Sequence, residues 1–462
     1  MVEHYDIIAF GTGSSLNIVS ELLNMGRPIK VAVIENSMVG GICLTRGCIP
    51  SKMLLYPAIT VRRILESSRL GIKASINQIN FKGIMSRTYN SIANESREIE
   101  ESLIQNPYVD LYKGNGTFVG DYTIDINGKE IEGDIILLCT GSKPYVPPID
   151  GLDEIDYLTN DNFFRELREL PKRFVVIGGG YIAVELGFFM AMMGSKVTII
   201  GRRPRIMHNE EPEISELFQR DLSKYIDLLT GHEAVEVRKR GDNIIVTAEN
   251  KETGNNVEIE ADKILIAAGR ASTSDITRPE KTGVKTNEKG WIITDRYMRT
   301  SKPDIWACGD ANGIHMYKHK ANYESQIVFY NAFLGKRAIV TYHAVPHAIF
   351  TEPEIASVGM KEEEASKKYD ILVGYYKYEN TAMGEAMMVK DYFAKVIVDK
   401  ETYRILGAHI VGPEASILIQ EIVSLMYTDN MSAVPIFRGM HIHPAMSEVV
   451  ERAFYSLREP EA

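Results

Sequence analysis

The chain has 462 residues, enough for about three domains at the usual size of about 100–200 residues each. Its formal net charge is −10 with both signs interspersed, which argues against a basic nucleic-acid-binding surface and a long single-sign tail. Four cysteines are too few for a disulfide scaffold in a chain of this length. The opening MVEHYDIIAFGTG carries acids and lacks the apolar core of a secretory signal, so a cytoplasmic protein is predicted.

The first predicted elements form a nucleotide-binding βαβ unit. The strand YDIIAF is followed by the glycine turn GTGSSL, the helical stretch VSELLNMG and a second strand, KVAVIE. Gly11 and Gly13 would let the backbone approach a pyrophosphate at the helix N-terminus. Glu35 ends the second strand and is predicted to accept a hydrogen bond from a ribose hydroxyl.

The stretch GGICLTRGCIPSK, residues 40–52, holds two of the four cysteines, Cys43 and Cys48. In a reducing compartment, such a close pair is more often catalytic or metal-binding than structural. The residues alone leave two interpretations open. One is a working disulfide, and the other is a zinc site to which His441 and His443 contribute two nitrogen ligands.

A second βαβ unit begins with RFVVI and the turn GGGY, and it contains Gly178, Gly180 and Tyr181. A helix is predicted from this turn through Met193, followed by the strand KVTII. Residues 174–194 have the length of a membrane span, but the glycines favour a buried helix on a parallel sheet. No membrane association is predicted.

The end of this second unit differs from that of the first. Where the first strand ends in an acid, Gly201 stands here and is followed by Arg202 and Arg203. An acid would repel a 2′-phosphate, whereas guanidinium groups bind one well. The pattern therefore favours NADP(H) over NAD(H), and the alternative is a solvated loop at a strand end.

Further motifs follow in a fixed order. They are LLCTGSKPYVPP (137–148), ILIAAGR (264–270), IWACGDANG (305–313), HAIFTEPEIASVGM (347–360) and HIHPAMSEVVERAF (441–454). Together with the two βαβ units and the cysteine stretch, they resemble the FAD-dependent pyridine nucleotide–disulfide oxidoreductases. Lipoamide dehydrogenase and glutathione reductase are the best-known members of that family.

The resemblance implies an α/β fold with two Rossmann-like domains, one binding FAD and one binding NAD(P), and a C-terminal α+β dimerisation domain. The implied boundaries are 1–145 for the first FAD-binding segment and 146–268 for the NAD(P)-binding domain. A second FAD-binding or central segment would span 269–340, and the dimerisation domain would span 341–462.

The resemblance also implies roles for the cysteines. Cys48 would lie nearest the flavin, and Cys43 would exchange with the substrate disulfide. Arg46 between them would lower a thiolate pKa, attract an acidic substrate or simply be solvated. Cys139 and Cys308, at the ends of apolar strands, are expected to be inert core thiols.

The base for thiol–disulfide exchange would be His443, supplied by the partner subunit of a homodimer with shared active sites. Pro444 suits a helix start, which would leave Glu448 about one turn on and able to orient the imidazole. His441 is expected to be structural.

The cofactors implied are FAD and a nicotinamide coenzyme. Lys52 would lie near flavin N5 paired with Glu185, and Tyr181 would cover the nicotinamide pocket. The residues implied for FAD are Gly11, Gly13, Glu35, Lys52, Thr140, Gly141 and Asp310. Those implied for the coenzyme and the adjoining flavin pocket are Gly178, Gly180, Tyr181, Glu185, Arg202, Arg203 and Gly269.

The function that this resemblance favours is that of a dihydrolipoamide dehydrogenase-like enzyme. Its substrate would be a lipoyl group or another small disulfide, and a 2-oxoacid dehydrogenase complex would be a candidate partner. The alternative is an NADPH-dependent, glutathione reductase-like enzyme that reduces a low-molecular-weight disulfide, and a metal-binding Cys/His protein is the remote third. No nucleic-acid partner and no metal are expected.

Overall fold

The computed structural model describes residues 2–26, 28–241 and 243–460. Within these residues the chain forms a mixed α/β structure with five β-sheets. The first part of the chain contains β1 (Glu3–Phe10), α1 (Ser15–Asn24), β2 (Val31–Glu35), α2 (Gly41–Arg46), α3 (Cys48–Leu65), α4 (Phe81–Gln105), β3 (Val109–Lys113), β4 (Gly116–Gly120), β5 (Thr123–Ile126), β6 (Lys129–Leu138) and β7 (Lys143–Pro144).

The next part supplies the second nucleotide-binding unit and an antiparallel sheet. Its elements are α5 (Phe163–Glu166), β8 (Arg173–Ile177), α6 (Tyr181–Met193), β9 (Lys196–Gly201), α7 (Pro212–Leu222), β10 (Asp227–Thr230), β11 (His232–Arg240), β12 (Asn243–Asn250), β13 (Asn256–Ala261) and β14 (Lys263–Ile266). Then follow β15 (Arg270–Ala271), α8 (Ser274–Thr277), β16 (Ile305–Ala307) and α9 (Lys318–Phe333).

The C-terminal part is built around a second antiparallel sheet. Its elements are β17 (His347–Ile349), β18 (Glu354–Gly359), α10 (Glu362–Ser366), β19 (Ile371–Lys377), α11 (Ala382–Ala386), β20 (Phe393–Asp399), β21 (Ile405–Gly412), α12 (Ala415–Met426), α13 (Val434–Arg438) and α14 (Glu448–Tyr455).

The first sheet combines two distant segments of the chain. Its order is β3-β2-β1-β6-β5-β4, and β16 adds to β6 in parallel. β1, β2, β3 and β6 are also parallel neighbours, with runs such as VAVIE that are buried throughout. β16 comes after the whole middle sheet in the chain. Because it pairs with β6 in parallel, the turn that follows β16 lies beside the turn that follows β6.

The middle sheet has the order β10-β9-β8-β14 and is parallel throughout. Helix α6 ends at Met193 as predicted from the sequence, and most of its residues are buried. This burial accounts for the apolar stretch 174–194, because a helix that is buried on all sides carries apolar residues on every face. Among the described residues, no helix is long and apolar enough to cross a bilayer.

The C-terminal sheet has the order β17-β18-β21-β20-β19 and is antiparallel. Helices α12 and α14 pack on it through buried apolar residues such as Ile422 and Phe454. One predicted boundary is wrong. The terminal helix begins at Glu448 rather than at Pro444, because residues 444–447 turn before the helical hydrogen bonds start.

Candidate active site

A cavity of about 1130 Å³ is lined by residues of the first sheet, the middle sheet and the C-terminal part. Many of the predicted site residues line it. They are Gly11, Gly13, Glu35, Cys43, Cys48, Lys52, Thr140, Gly141, Gly180, Tyr181, Glu185 and Asp310. The fold therefore brings together, in one space, motifs that are up to about 300 residues apart in the chain.

The first glycine turn lies between β1 and α1 and is held tightly against its neighbours. Gly11 has φ +82°, and a Cβ there would lie 2.6 Å from the carbonyl oxygen of Cys139. A Cβ on Gly41 would lie 2.6 Å from Cα of Gly13. These close backbone approaches explain why the turn and the cysteine stretch both begin with glycines.

Glu35 is buried at the end of β2, where its carboxylate faces the first glycine turn. The backbone N–H of Thr12 donates to Glu35 Oε2 at 3.0 Å, and the Thr12 hydroxyl donates to the same oxygen at 2.6 Å. The N–H of Ser37 donates to Oε1 at 2.9 Å. The carboxylate is thus fixed in the cavity wall, where an acceptor for a ribose hydroxyl is expected.

Asp310 lies in the turn after β16 and faces the turn after β6. The Ser142 hydroxyl donates to Asp310 Oδ2 at 2.6 Å, and Nε of Arg270 donates to that hydroxyl at 2.9 Å. Thr140 accepts from the hydroxyl of Thr273 at 2.8 Å. The two turns predicted to contact FAD are therefore joined by side-chain hydrogen bonds.

A buried ion pair forms hydrogen bonds to the turn that contains Asp310. Lys320 Nζ lies 3.0 Å from Glu324 Oε2 and also donates to Asn312 Oδ1 at 3.0 Å. The N–H of Gly309 donates to Glu324 Oε2 at 2.7 Å. Both charged side chains are almost fully buried, and a buried charge is costly unless it is paired and hydrogen bonded. Each charge is therefore stabilised by the other and by the turn that they bind.

The two cysteines of the 40–52 stretch lie at a junction of two helices. Cys43 is in the short helix α2, and Cys48 is the first residue of α3. Cys43 is half-buried and Cys48 is exposed to the cavity that both line. Helix α3 thus begins beside the pair, with its N-terminus at Cys48.

The environment of Cys43 favours a thiolate. A hydrogen bond from the Cys48 thiol lowers the pKa of Cys43 to about 7, against the opposing effect of burial, and the cations Lys318 and Lys52 lower it further. The same hydrogen bond and burial raise the pKa of Cys48. The first thiolate of the pair therefore forms at Cys43.

Lys52 and Glu185 form an ion pair beside the cysteines. Nζ of Lys52 lies 3.0 Å from both carboxylate oxygens of Glu185 and 4.3 Å from the centre of the Phe350 ring. The Glu185 side chain is 6% exposed, and its carboxylate also accepts from the Phe350 N–H at 3.0 Å. The pairing predicted from the sequence is present.

The second glycine turn leads from β8 into α6. Gly178 has φ +134°, and a Cβ there would lie 2.1 Å from the Ala267 carbonyl oxygen. A Cβ on Gly180 would have no heavy atom within 4 Å, so this backbone is open towards the cavity. Tyr181 lines the cavity with its ring centre 6.5 Å from that of Tyr317.

Gly201, at the end of β9, faces this second turn. A Cβ on Gly201 would lie 4.0 Å from Cα of Gly179 and 3.8 Å from Ile206, which is ordinary contact. Arg202 is 3.6 Å from Glu233, whereas Arg203 forms no ion pair within the described ranges. Burial and the Arg203 charge lower the pKa of His208, which lines the cavity nearby.

His443 lies outside the cavity, on the surface of the C-terminal part. Its Nδ1 is 3.0 Å from Oε1 of Glu448, and this contact lowers the pKa of Glu448. The side chain of His443 is 72% exposed. The structure therefore brings the imidazole and its orienting carboxylate together but does not place them beside the cysteines of the same chain.

The described residues contain no ligand set that would support the zinc interpretation. In the part of the chain that the structure describes, no group of three or more His, Cys, Asp or Glu side chains is arranged to hold a metal ion. His441 lies 3.1 Å from Glu421 Oε1, in agreement with a structural role.

The cavity fits a flavin dinucleotide. The side chain of the N-cap residue Ser14 makes no capping hydrogen bond, so the N-terminus of α1 is not occupied by its own cap. Glu35 offers an oxygen to a ribose, and Gly180 leaves backbone open on the other side of the cavity. These three features suit a long, phosphate-bearing ligand.

Three residues near the site carry contacts that the sequence did not reveal. Arg270 donates a hydrogen bond to Ser142. Because Arg270 ends the AAGR motif, its position in that motif could have identified it as a site residue. Lys318 has no sequence signal; its nearest hydrogen-bond partner is the Ser14 hydroxyl at 3.4 Å. Arg46 pairs with Asp161 at 3.2 Å, and its side chain is 17% exposed, so it is not simply solvated.

Comparisons with known proteins agree over the whole length. The family model described as pyridine nucleotide-disulphide oxidoreductase matches residues 12–326, and the family's dimerisation domain matches residues 345–454. A mycothione reductase of Mycobacterium tuberculosis is 34% identical over 470 residues, covering 99% of this chain and 100% of the relative. A dihydrolipoyl dehydrogenase of Thermus scotoductus is 33% identical over 467 residues, covering 98% of each.

Among solved structures, the Cu(II) complex of the HOCl-induced flavoprotein disulfide reductase RclA from Escherichia coli superposes with a TM-score of 0.85. It is 26% identical, and the match covers 98% of this chain and 99% of that one.

We expect Lys318→Met to raise the pKa of Cys43, because it removes an ammonium group that favours the thiolate. Iodoacetamide alkylation of the reduced protein at pH 7 should slow by roughly two- to tenfold at Cys43. Mass spectrometry can follow Cys43 alone, since trypsin releases it in peptide 31–46 and Cys48 in peptide 47–52.

Lys318→Arg is the matched control, because it keeps the charge and should keep the wild-type pH profile of alkylation. An unchanged profile in Lys318→Met would mean that Cys48 and Lys52 alone set the thiolate.

Proposed function

The chain belongs to the pyridine nucleotide-disulphide oxidoreductases, and from that premise we propose that it uses NADPH to reduce a low-molecular-weight disulfide. The family supports the use of FAD and a pyridine nucleotide. The observation that carries the proposal is the convergence of both glycine turns and the Cys43–Cys48 pair on one cavity.

The cysteines account for the exchange chemistry. The Cys43 thiolate would attack the substrate disulfide, forming a mixed disulfide and releasing one thiol. Cys48 would then attack Cys43, which releases the second thiol and leaves a Cys43–Cys48 disulfide. The two electrons gained by the substrate are thus the two lost by the cysteine pair.

FAD, when bound, supplies the two-electron link between the nicotinamide coenzyme and the cysteine pair. Gly11, Gly13, Glu35, Thr140, Gly141 and Asp310 would hold it. Lys52, which pairs with Glu185, would lie beside the ring and balance its negative charge. Tyr181 would cover the nicotinamide side, where Gly178 and Gly180 admit the coenzyme.

His443 would act as the base for the exchange, in the active site of the partner subunit. Glu448 holds Nδ1, which leaves Nε2 for a thiol proton. The match to the family's dimerisation domain supports a homodimer. The neighbouring Met440 and Ile442 are 100% and 77% exposed in the single chain, which suits a segment that a second subunit covers.

The substrate class follows from the coenzyme. Gly201 places no acid near the second turn, and a Cβ there would meet only ordinary contacts. Arg203 has no acid paired with it within the described residues, so its guanidinium group suits a 2′-phosphate. NADPH dependence favours the reductive direction, and the similarity to a mycothione reductase supports a small-thiol disulfide as substrate. These observations put the reductase ahead of the lipoamide reaction favoured from the sequence.

Oxidation or reduction of a lipoyl group is the second candidate. The similarity to a dihydrolipoyl dehydrogenase over 98% of both chains supports it. The position of His441 two residues before His443 also resembles the lipoamide dehydrogenases. A 2-oxoacid dehydrogenase complex would be a partner only under this candidate.

The proposed reaction can be tested with Cys48→Ser, which should trap the substrate. Cys43 can still attack a disulfide, but the thiol that would release it is absent, so a stable mixed disulfide should form. Intact mass after incubation with glutathione disulfide, mycothione, lipoamide and cystine would show which one adds, and Cys43→Ser is the control that should add none.

Steady-state oxidation of NADPH and NADH by the wild type, with the same panel, completes the test. Trapping and turnover should select the same disulfide. Turnover of lipoamide alone would favour the second candidate, and turnover of none of the panel by either coenzyme would contradict the proposal.

Coenzyme choice gives a separate prediction. A charge-assisted contact contributes about 1.5–3 kcal/mol, or roughly ten- to a hundredfold in affinity. Arg202→Ala with Arg203→Ala should therefore lower kcat/KM for NADPH by that factor and leave kcat/KM for NADH nearly unchanged.

Adding Gly201→Glu should turn the preference towards NADH, because the space beside Gly201 admits a side chain whose carboxylate repels the 2′-phosphate. Arg205→Ala is the control, since Arg205 pairs with Glu216 instead. Equal loss of both coenzymes in the double variant would mean that the arginines serve the fold.

Sharing of the active site between subunits can be tested by mixing inactive variants. When Cys43→Ala and His443→Ala homodimers exchange subunits, half of the dimers become hybrids with one complete site each. About a quarter of the wild-type activity should then return. Mixing Cys43→Ala with Cys48→Ala is the control, because no hybrid site regains both cysteines. Verified exchange without recovery would place the base in the same chain.

A further inference from the structure

The chain contains a second cysteine pair that the proposed reaction does not use. Sγ of Cys139 lies 3.1 Å from Sγ of Cys308, although the two residues are 169 positions apart. Cys139 is 8% exposed and Cys308 is 1% exposed. Both residues also lie at the wall of the cavity.

Strand pairing explains why these two side chains meet. Leu138 and Ala307 are partners at the ends of the parallel strands β6 and β16, and the cysteines are the next residue of each. Parallel neighbours lie about 4.7–4.9 Å apart, within the Cα separation of about 4.4–6.8 Å that a disulfide tolerates. The fold therefore holds the pair in a geometry that a disulfide can adopt with small side-chain movements.

We propose that Cys139 and Cys308 form a second, reversible disulfide when the protein reacts with a small peroxide. The first thiol would take one oxygen from hydrogen peroxide, giving a sulfenic acid and one water. The second thiol would then attack that sulfur and release a second water, so that two thiols and one peroxide give one disulfide and two waters.

The surroundings of the pair set the order of the two steps. Cys139 is the more exposed residue of the two, and it lies at the wall of the cavity. Cys308 is fully enclosed, and its pKa is raised by the hydrogen bond to Cys139 and by burial, so it is the poorer first nucleophile. Cys139 is therefore oxidised first, and Cys308 resolves the sulfenic acid.

The bond would join the two turns that hold FAD. Thr140 directly follows Cys139, and Gly309 and Asp310 directly follow Cys308. These turns come from segments separated by the whole middle sheet, so the disulfide would close a very long loop of chain. Oxidation would thereby fix the two segments of the first sheet to each other.

Peptide mapping of the FAD-loaded wild type tests the proposal. Trypsin places Cys139 in peptide 130–165 and Cys308 in peptide 300–318, apart from the peptides 31–46 and 47–52 of the other pair. After hydrogen peroxide treatment, capping of free thiols with iodoacetamide and non-reducing digestion, peptides 130–165 and 300–318 should be linked, with a mass lower by two hydrogens. Dithiothreitol should separate them.

A second measurement uses the thermal midpoint. The peroxide-treated wild type should melt at a higher temperature than the dithiothreitol-treated protein, and Cys139→Ala should lose that difference while keeping the 31–46 to 47–52 link as its internal control. Two results would overturn the proposal. One is full capping of both thiols by iodoacetamide under conditions that oxidise the other pair, and the other is sulfinic or sulfonic acid at Cys139 without a link to peptide 300–318.

Discussion

A single buried carboxylate, that of Glu185, connects the three parts of the chain that form the cavity. Glu185 lies on α6 of the middle part, pairs with Lys52 on the cysteine helix α3, and accepts a hydrogen bond from the N–H of Phe350 in the C-terminal part. A carboxylate on a side chain that is 6% exposed would be costly to bury without such partners. The position of α3, and with it that of the cysteines, therefore depends on where α6 presents this group.

Other contacts between distant segments follow the same pattern. Arg62 on α3 pairs with Asp221 on α7, and Lys395 on β20 pairs with Glu211 just before α7. All four side chains are almost fully buried. Apolar packing alone would allow helices to slide, whereas removing either partner of a buried pair costs about 3–5 kcal/mol. The ion pairs thus give the cavity walls a defined relative position.

The sequence predicts the parts of this structure that depend on local pattern. Glycines at fixed offsets between a strand and a helix predicted both glycine turns, whereas the redox role of Cys43 and Cys48 was implied by the family resemblance, because their spacing alone also allowed a zinc site. The sequence did not predict every contact between separate segments, and the pairing of Arg46 with Asp161 is one that it missed. Nor did it predict that the last helix begins at Glu448, because the preceding turn is set by packing rather than by Pro444.

The two cysteine pairs show how surroundings decide what the same chemical group does. Cys43 has a neighbouring thiol as donor and two lysines near it, so its thiolate forms near neutral pH at a site open to a substrate. Cys139 and Cys308 are nearly as close in space as a pair can be without a bond, yet burial raises the pKa of Cys308. Lys320 donates to the Gly309 carbonyl beside Cys308, but it is paired with Glu324, whose charge adds to the rise in the pKa of Cys308. Proximity makes a disulfide possible at both places, but the exchange proposed for the first pair also requires the lower thiol pKa and the exposure found there.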